Sequence, residues 1–224
     1  MGIGTLQERS LHAALKAWYV RPGDSIEQQV EGYWIDIVCG DLLIEVQTRH
    51  FAQLRPKLVA LLDAHPMCLL YPIFQEKWIV RVAADGTTAL GRRKSPKHGR
   101  VEEVFGELVS FPELALHPHL AIEVVFVRAE EVWRDDGRGS WRRGRWSVQD
   151  QRLLAVTGSV TLTTADDFRA LLPRGLVSPF GARELAEAAG LPLRLARKMV
   201  YCLRRMGVIT PVGKRGRAWM YRGT

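Results

Sequence analysis

The sequence predicts an α/β (α+β) protein, with a mixed-sheet domain over residues 1–172 and a small helix–helix–hairpin domain over residues 173–224. Three observations predict it. Apolar spacing over the first 75 residues changes from helical to strand-like and back, in the order α-β-β-β-α-β. The run MCLLYPIF at residues 67–74 is apolar almost throughout and follows a helix, which is the pattern of a buried strand parallel to its neighbour. The last 52 residues carry 11 Lys and Arg against 2 Asp and Glu, inside a pattern of two helices and a hairpin.

Residues 8–19 place Leu11, Ala14, Leu15 and Trp18 at helical spacing, and Pro22-Gly23-Asp24 ends that helix. Residues 26–30, 33–39 and 42–47 read as three strands joined by turns at Glu31-Gly32 and Gly40-Asp41. Leu54, Leu58, Leu61 and Leu62 mark one side of a helix over residues 51–64. The strand at 67–74 is broken at Pro72, and a separate strand covers 78–84. Residues 92–100 (RRKSPKHGR) and 135–145 (DDGRGSWRRGR) read as basic loops, with a short helix at 101–108 and a buried strand at 121–127. Strand character returns at 153–162 and helix at 165–172. A linker around Pro173 and Gly175 precedes helices at 182–189 and 193–206, stopped by Gly190 and Gly207. Strands at 208–212 and 218–222 then flank a basic turn. Helix, turn, helix and hairpin make a winged helix.

The composition is that of a globular chain: 224 residues, 47% hydrophobic, 25% charged, net charge +8. No window approaches a membrane span, and residues 1–7 have neither the basic start nor the apolar stretch of a signal peptide. Cys39, Cys68 and Cys202 are odd in number and far apart, which fits neither a disulfide framework nor a metal knuckle. They read as reduced, mostly buried thiols of a cytoplasmic protein. His117-Pro118-His119 lacks further ligands nearby, so these histidines, with His12, His50, His65 and His98, read as structural.

The chemistry is concentrated in two strands. Asp36 interrupts YWIDIV, and Glu45 and Gln47 interrupt LLIEVQ. Alternation puts Glu45 and Gln47 on one face, with Ile44 and Val46 turned toward the core. The tight connection at Gly40-Asp41 sets Asp36 beside Glu45. Two carboxylates a few ångströms apart in a half-buried sheet repel each other unless a cation lies between them, and hard oxygen donors suit Mg²⁺. The other reading of the same residues is a solvent-facing polar strip.

These residues resemble the PD-(D/E)XK, or restriction-endonuclease-like, nucleases. Asp36 matches the family's strand Asp, preceded here by Ile35 and not by Pro. Glu45 matches the Glu of E-x-K, and Gln47 stands where Lys is commonest. Glu8, in QERSLHAAL, matches the acid of the first helix, with Glu27 as the alternative. The resemblance covers residues 5–75. It implies a Mg²⁺ or Mn²⁺ ion held by Asp36, Glu45 and Glu8, an attacking water oriented by Gln47, and products with a 5′-phosphate. Gln can orient water but brings no charge, so the missing cation is Lys57 or Arg49. Many such nucleases cut both strands as homodimers, so a homodimer is compatible with this reading.

In the last domain, Leu195, Met199, Cys202, Leu203 and Met206 form an apolar stripe. Arg194, Arg197, Lys198 and Arg204 lie off it, and Lys214, Arg215 and Arg217 cluster at the hairpin. Cations at the start of such a helix suit a DNA groove, and those of a wing suit phosphates. The basic segments 92–100 and 138–145 read either as solvated loops, the preferred reading for the first, or as a clamp on a duplex near the active site, with Trp141 and Trp146 available for stacking. The sequence thus points to a metal-dependent DNA endonuclease or nuclease-like processing enzyme. The rival is a non-catalytic DNA-binding protein, a regulator or mobile-element accessory subunit, on a degenerate nuclease fold.

Overall fold

The computed structural model describes residues 10–223. Helix α1 (Ser10–Tyr19) buries Leu11 and Leu15, while Trp18, expected on the same stripe, is half-exposed. Strands β1 (Ser25–Val30), β2 (Tyr33–Cys39) and β3 (Leu42–Val46) form an antiparallel meander. A 3-10 turn (Phe51–Leu54) leads into α2 (Arg55–Leu61). Strand β4 (Met67–Val82) then runs parallel to β3.

β4 is one strand of 16 residues, where two strands separated at Pro72 are expected. The ladder explains the difference. The Leu70 carbonyl accepts from Gln47 N, so the polar groups of Leu70, and two residues on those of position 72, point to the β3 side. β3 pairing ends at Leu70, and β5 (Ala89–Lys94) joins that edge only from Trp78. The N–H that proline lacks has no partner strand to serve there.

The chain continues through a 3-10 turn (Val101–Val104), the single-turn α3 (Phe105–Leu108), β6 (Leu120–Arg134), β7 (Ser147–Leu162) and α4 (Ala165–Arg169). β6 is parallel to β4 and β7 antiparallel to β6. The result is a seven-stranded mixed sheet in the order β1-β2-β3-β4-β6-β7, with β5 on β4. Segment 92–100, expected as a loop, supplies the last part of β5. Among the described residues no helix is long and apolar enough to cross a membrane.

Both faces of the central sheet are buried. Leu43, Leu69 and Ile122 belong to one core with α2 and α3, whereas Ile44, Leu70 and Val125 belong to a second with α1. The expectation that only Ile44 and Val46 face a core is therefore corrected. A strand next to a parallel neighbour is covered on both sides.

The end of the chain forms α5 (Ala182–Ala189), α6 (Leu193–Arg205), β8 (Ile209–Arg215) and β9 (Ala218–Gly223). Gly190, at φ 62°, caps α5 in the left-handed conformation that favours glycine. Phe180 bridges to Tyr221 and closes the hairpin onto α5. The first core continues without interruption from Val104, Phe105 and Leu108 into Ala196, Met199 and Leu203 of α6. The helix–helix–hairpin segment is thus packed on the sheet domain.

Candidate active site

The three meander strands place acids in a row. Asp36 stands opposite Glu27, between the pairs Ile26–Ile37 and Gln28–Ile35. On its other side it stands one step beyond the last pairing of β2 with β3, Ile37–Ile44, and so opposite Glu45. Regular alternation fails at this point: Ile35 and Ile37 lie in different cores, and Glu27 has φ 52°. β2 and β3 part here. The Val46 N–H, released from a backbone partner, donates to Asp36 Oδ2 at 2.9 Å.

Cations come to this gap from both helices. On α2, Lys57 Nζ donates to Glu45 Oε1 and to the Trp34 carbonyl, both at 2.6 Å. On α1, His12 Nε2 lies 3.3 Å from Asp36 Oδ2, and Lys16 Nζ lies 2.8 Å from Glu27 Oε1 and 3.9 Å from Asp36 Oδ1. Glu45 is only 5% exposed, which removes the reading of this strip as a solvent-facing surface. Burial, reinforced by the Asp36 charge, pushes the Glu45 carboxyl up to about 7, although Lys57 pulls it down. Burial also disfavours the charge of Asp36. The His12 hydrogen bond and charge, the Val46 N–H and Lys16 outweigh it and hold Asp36 below the usual carboxylate range.

Asp36, Glu45 and Lys57 are therefore brought together. Gln47 lies just past the end of β3, where its Nε2 donates to the Arg49 carbonyl at 2.5 Å. This bond uses one of the two amide donors and leaves the other, with the amide oxygen, for the expected role of orienting water. Arg49 is exposed, and it is Lys57 that supplies the cation. Glu8 lies outside the described residues. Among those described, no group of three or more His, Cys, Asp or Glu could hold one ion. His12, expected to be structural, sits on Asp36. With Lys16 it forms an i, i+4 pair, and polar side chains at that spacing beside Leu11 and Leu15 were the available signal. The remaining histidines described with partners serve local contacts: His119 Nδ1 lies 2.8 Å from the Leu62 carbonyl and His65 3.0 Å from Glu31. Cys68 and Cys202 are buried free thiols, whereas Cys39 is exposed.

The C-terminal cations divide into two sets. Arg194, Arg197 and Arg204, with Tyr201, form the exposed face of α6, and Arg217 lies across a groove of about 440 Å³ lined also by Trp219. Lys214 stacks over the Trp219 ring at 4.7 Å, and Arg215 pairs with Glu184 at 2.9 Å. Lys198 is different. It is half-buried and donates to the Gly106 carbonyl at 2.6 Å, while Arg205 pairs with Glu113. Lys198 therefore belongs to the seam that holds α6 against α3 and not to the exposed face, because the apolar side of α6 carries its flanking positions inward with it.

Segment 92–100 is largely paired: Arg92 with Glu130, Lys94 with Glu76, Lys97 with Glu103 and Arg100 with Glu102, while Arg93 has no ion pair among the described residues. Segment 138–145 lies at the far end of β6 and β7, since Arg134 pairs with Ser147 and with Val82. In strand register it lies at the opposite end of β4 and β6 from the level of Glu45.

Fold and site together define an α+β protein with a half-buried Asp36 and a buried Glu45 on neighbouring interior strands of a mixed sheet. Residues 9–163, well over half of the chain, match the model of a family described as a domain of unknown function, DUF8091, and the chain belongs to that family. An uncharacterized protein of Treponema pallidum (strain Nichols) is 32% identical over 224 residues, covering 99% of this chain and 88% of its own. No solved structure matches.

Proposed function

We propose that this protein is a metal-dependent DNA endonuclease, or a nuclease-like DNA-processing enzyme, with a restriction-endonuclease-like core and a winged helix that holds the DNA. The reading rests above all on Lys57 placed on Glu45 in the gap that also holds Asp36. It is the cation that Gln47 lacks, delivered from the next helix. The α-β-β-β-α-β order, with β4 parallel to β3, supports the same class.

The donors fit Mg²⁺ or Mn²⁺. Both are hard carboxylate oxygens, and Mg²⁺ is commonly bound by one or two carboxylates together with waters and substrate phosphate. Burial first, and then the Asp36 charge, raise the Glu45 carboxyl, and a divalent ion between the two acids would favour its charged form. Asp36 and Glu45 would hold the ion, with Glu8 as a further ligand; Glu27, the alternative, is engaged by Lys16 and among the described residues completes no group of three with them. When bound, it supplies an acidified water and compensates charge on the phosphate. The chain supplies the rest. Lys57 faces the reacting phosphate and positions the attacking oxygen, His12 and Lys16 fix Asp36, and the exposed arginines of α6 and the wing hold the backbone.

The test is cleavage of linear, supercoiled and branched DNA with Mg²⁺ or Mn²⁺ by the wild type and by Asp36→Ala, Glu45→Ala and Lys57→Ala. Cleavage is lost in all three variants while DNA binding persists. Mn²⁺ also raises the melting temperature of the wild type but not of Asp36→Ala, with about 2.7 kcal/mol expected at a hundredfold excess over Kd. One observation favours a second reading: His12, Lys16 and Lys57 already compensate the acids without an ion. Absence of cleavage and of Mn²⁺ stabilisation, with DNA binding intact, selects a non-catalytic DNA-binding protein.

A further inference from the structure

Beyond the core, β4, β5, β6 and β7 continue as an arm. Leu69 of β4 is level with Glu45, and Val82 is level with Arg134 at the end of β6. Those thirteen residues measure about 40 Å along the strand at roughly 3.3 Å per residue, and the curl of the sheet shortens the direct path, since Ser10 of α1 bonds Asp150 of β7 while His12, two residues on, lies against Asp36. The loop 135–146 closes the arm's far end.

Many cations on the flanks of the arm are paired: Lys77 is bound to Glu131, Arg92 to Glu130, Lys94 and Arg128 to Glu76, and Arg152 to Asp150, whereas Arg81, Arg93 and Arg134 have no ion pair among the described residues. The tip concentrates cations without acids. Residues 137–146 hold four arginines and no acid. Arg138 lies beside Asp136, but no ion pair among the described residues reaches Arg142, Arg143 or Arg145. Trp141 is 80% exposed, with the Arg142 guanidinium 5.7 Å from its ring centre. The tip is also a built structure. Gly139 N donates to the Arg145 carbonyl at 2.7 Å, and Asp136 accepts from Arg138 N and from Ser147 Oγ. At Gly139 the chain passes so close that a Cβ would lie 1.7 Å from the Trp146 carbonyl oxygen. A loop closed this tightly presents its arginines and indole in a fixed arrangement, and does not expose them through loss of structure.

We propose that the arm tip is a second nucleic-acid contact, separate from the acid pair, in which Arg142 and Arg145 bind duplex phosphates and Trp141 stacks on an exposed base or sugar. This rests on the DNA-binding reading above, not on its catalytic part. Uncompensated guanidinium groups around one indole match a polyanion that carries flat rings. An anionic membrane is the poorer match, because a single exposed indole among arginines offers little apolar area to insert.

The experiment is an anisotropy titration of a fluorescent duplex of about 30 base pairs, in EDTA, over a salt series. EDTA removes cleavage, so failure of the catalytic reading leaves this result untouched. Trp141→Ala/Arg142→Ala/Arg145→Ala is expected to weaken binding about tenfold and to lower the slope of log K against log salt by about 2, at roughly 0.9 per phosphate. Arg142→Gln/Arg145→Gln, which keeps the ring, is expected to lower the slope equally, and melting temperatures verify that both variants fold. Arg194→Ala/Arg197→Ala/Arg204→Ala serves as the reference for the C-terminal face. If that variant loses affinity while both tip variants bind as the wild type does, the tip proposal is overturned and the winged-helix reading stands. If the wild type does not bind DNA but binds phosphatidylserine vesicles through the tip, both DNA readings fail and the tip is a membrane contact.

Discussion

The acid pair and the C-terminal face use charge in opposite ways. Asp36 is half-buried and Glu45 buried; the two are held together and matched by His12, Lys16 and Lys57. Arg194, Arg197 and Arg204 stand exposed on one side of α6 without carboxylate partners among the described residues. The first arrangement costs desolvation and is sensitive to protons and cations. The second costs little, is screened by salt, and is available to a polyanion. A count of charges does not distinguish them; the partners of each charge do.

The comparison can be broken most severely at the core that joins the two regions. Leu203 is fully buried in the cluster shared by α6 and α3. Leu203→Ala is expected to cost about 2–5 kcal/mol and to lower a single calorimetric transition for the whole chain. Two separate transitions would mean that residues 173–223 fold apart from the sheet.

Next comes Lys57→Ala, which strands a buried carboxylate. Breaking a fully buried pair at one partner costs about 3–5 kcal/mol, and the 17% exposure of Lys57 puts the expectation below that range. Urea unfolding measures it. Adding Glu45→Gln is expected to restore most of the loss, and no recovery would show that Lys57 acts through packing alone.

The pH dependence gives a comparable effect with a definite sign. Glu45 has an ordinary value of 4.5 and a folded value of about 7. Between these the folded chain holds the proton more tightly, so stability falls as pH rises from 4.5 to 7 and levels off above. At about 1.36 kcal/mol per unit the penalty is on the order of 3 kcal/mol. Asp36 is shifted the other way. Its contribution is present above 3.8 and lost as pH falls through its lower folded value, outside the Glu45 window. Melting temperature against pH should slope downward for the wild type and be flat over 4.5–7 for Glu45→Gln; equal slopes would remove Glu45 as the titrating group.

The smallest effects separate the two sets of cations on α6. Arg204→Ala is expected to lower the salt slope of DNA binding by about 0.9 and to change stability by under about 0.5 kcal/mol. Lys198→Ala is expected to leave that slope unchanged and to cost about 1–2 kcal/mol by removing its bond to Gly106. The reverse result would place Lys198 on the DNA face.

The sequence by itself determined the order of elements, the bringing of Asp36 to Glu45, and the basic character of the last 52 residues. These follow from local periodicity, a short turn and composition, each decided within a few residues of chain. Only the tertiary structure decided which charges are spent. That β4 runs through Pro72 depended on where β3 ends and β5 begins. That Lys57 answers Glu45, that His12 and Lys16 answer Asp36, and that Lys198 is turned inward while Arg142 and Arg145 are not, depended on elements packed from distant parts of the chain. A side chain's charge is written in the sequence, but its solvation and its partner are properties of what folds against it.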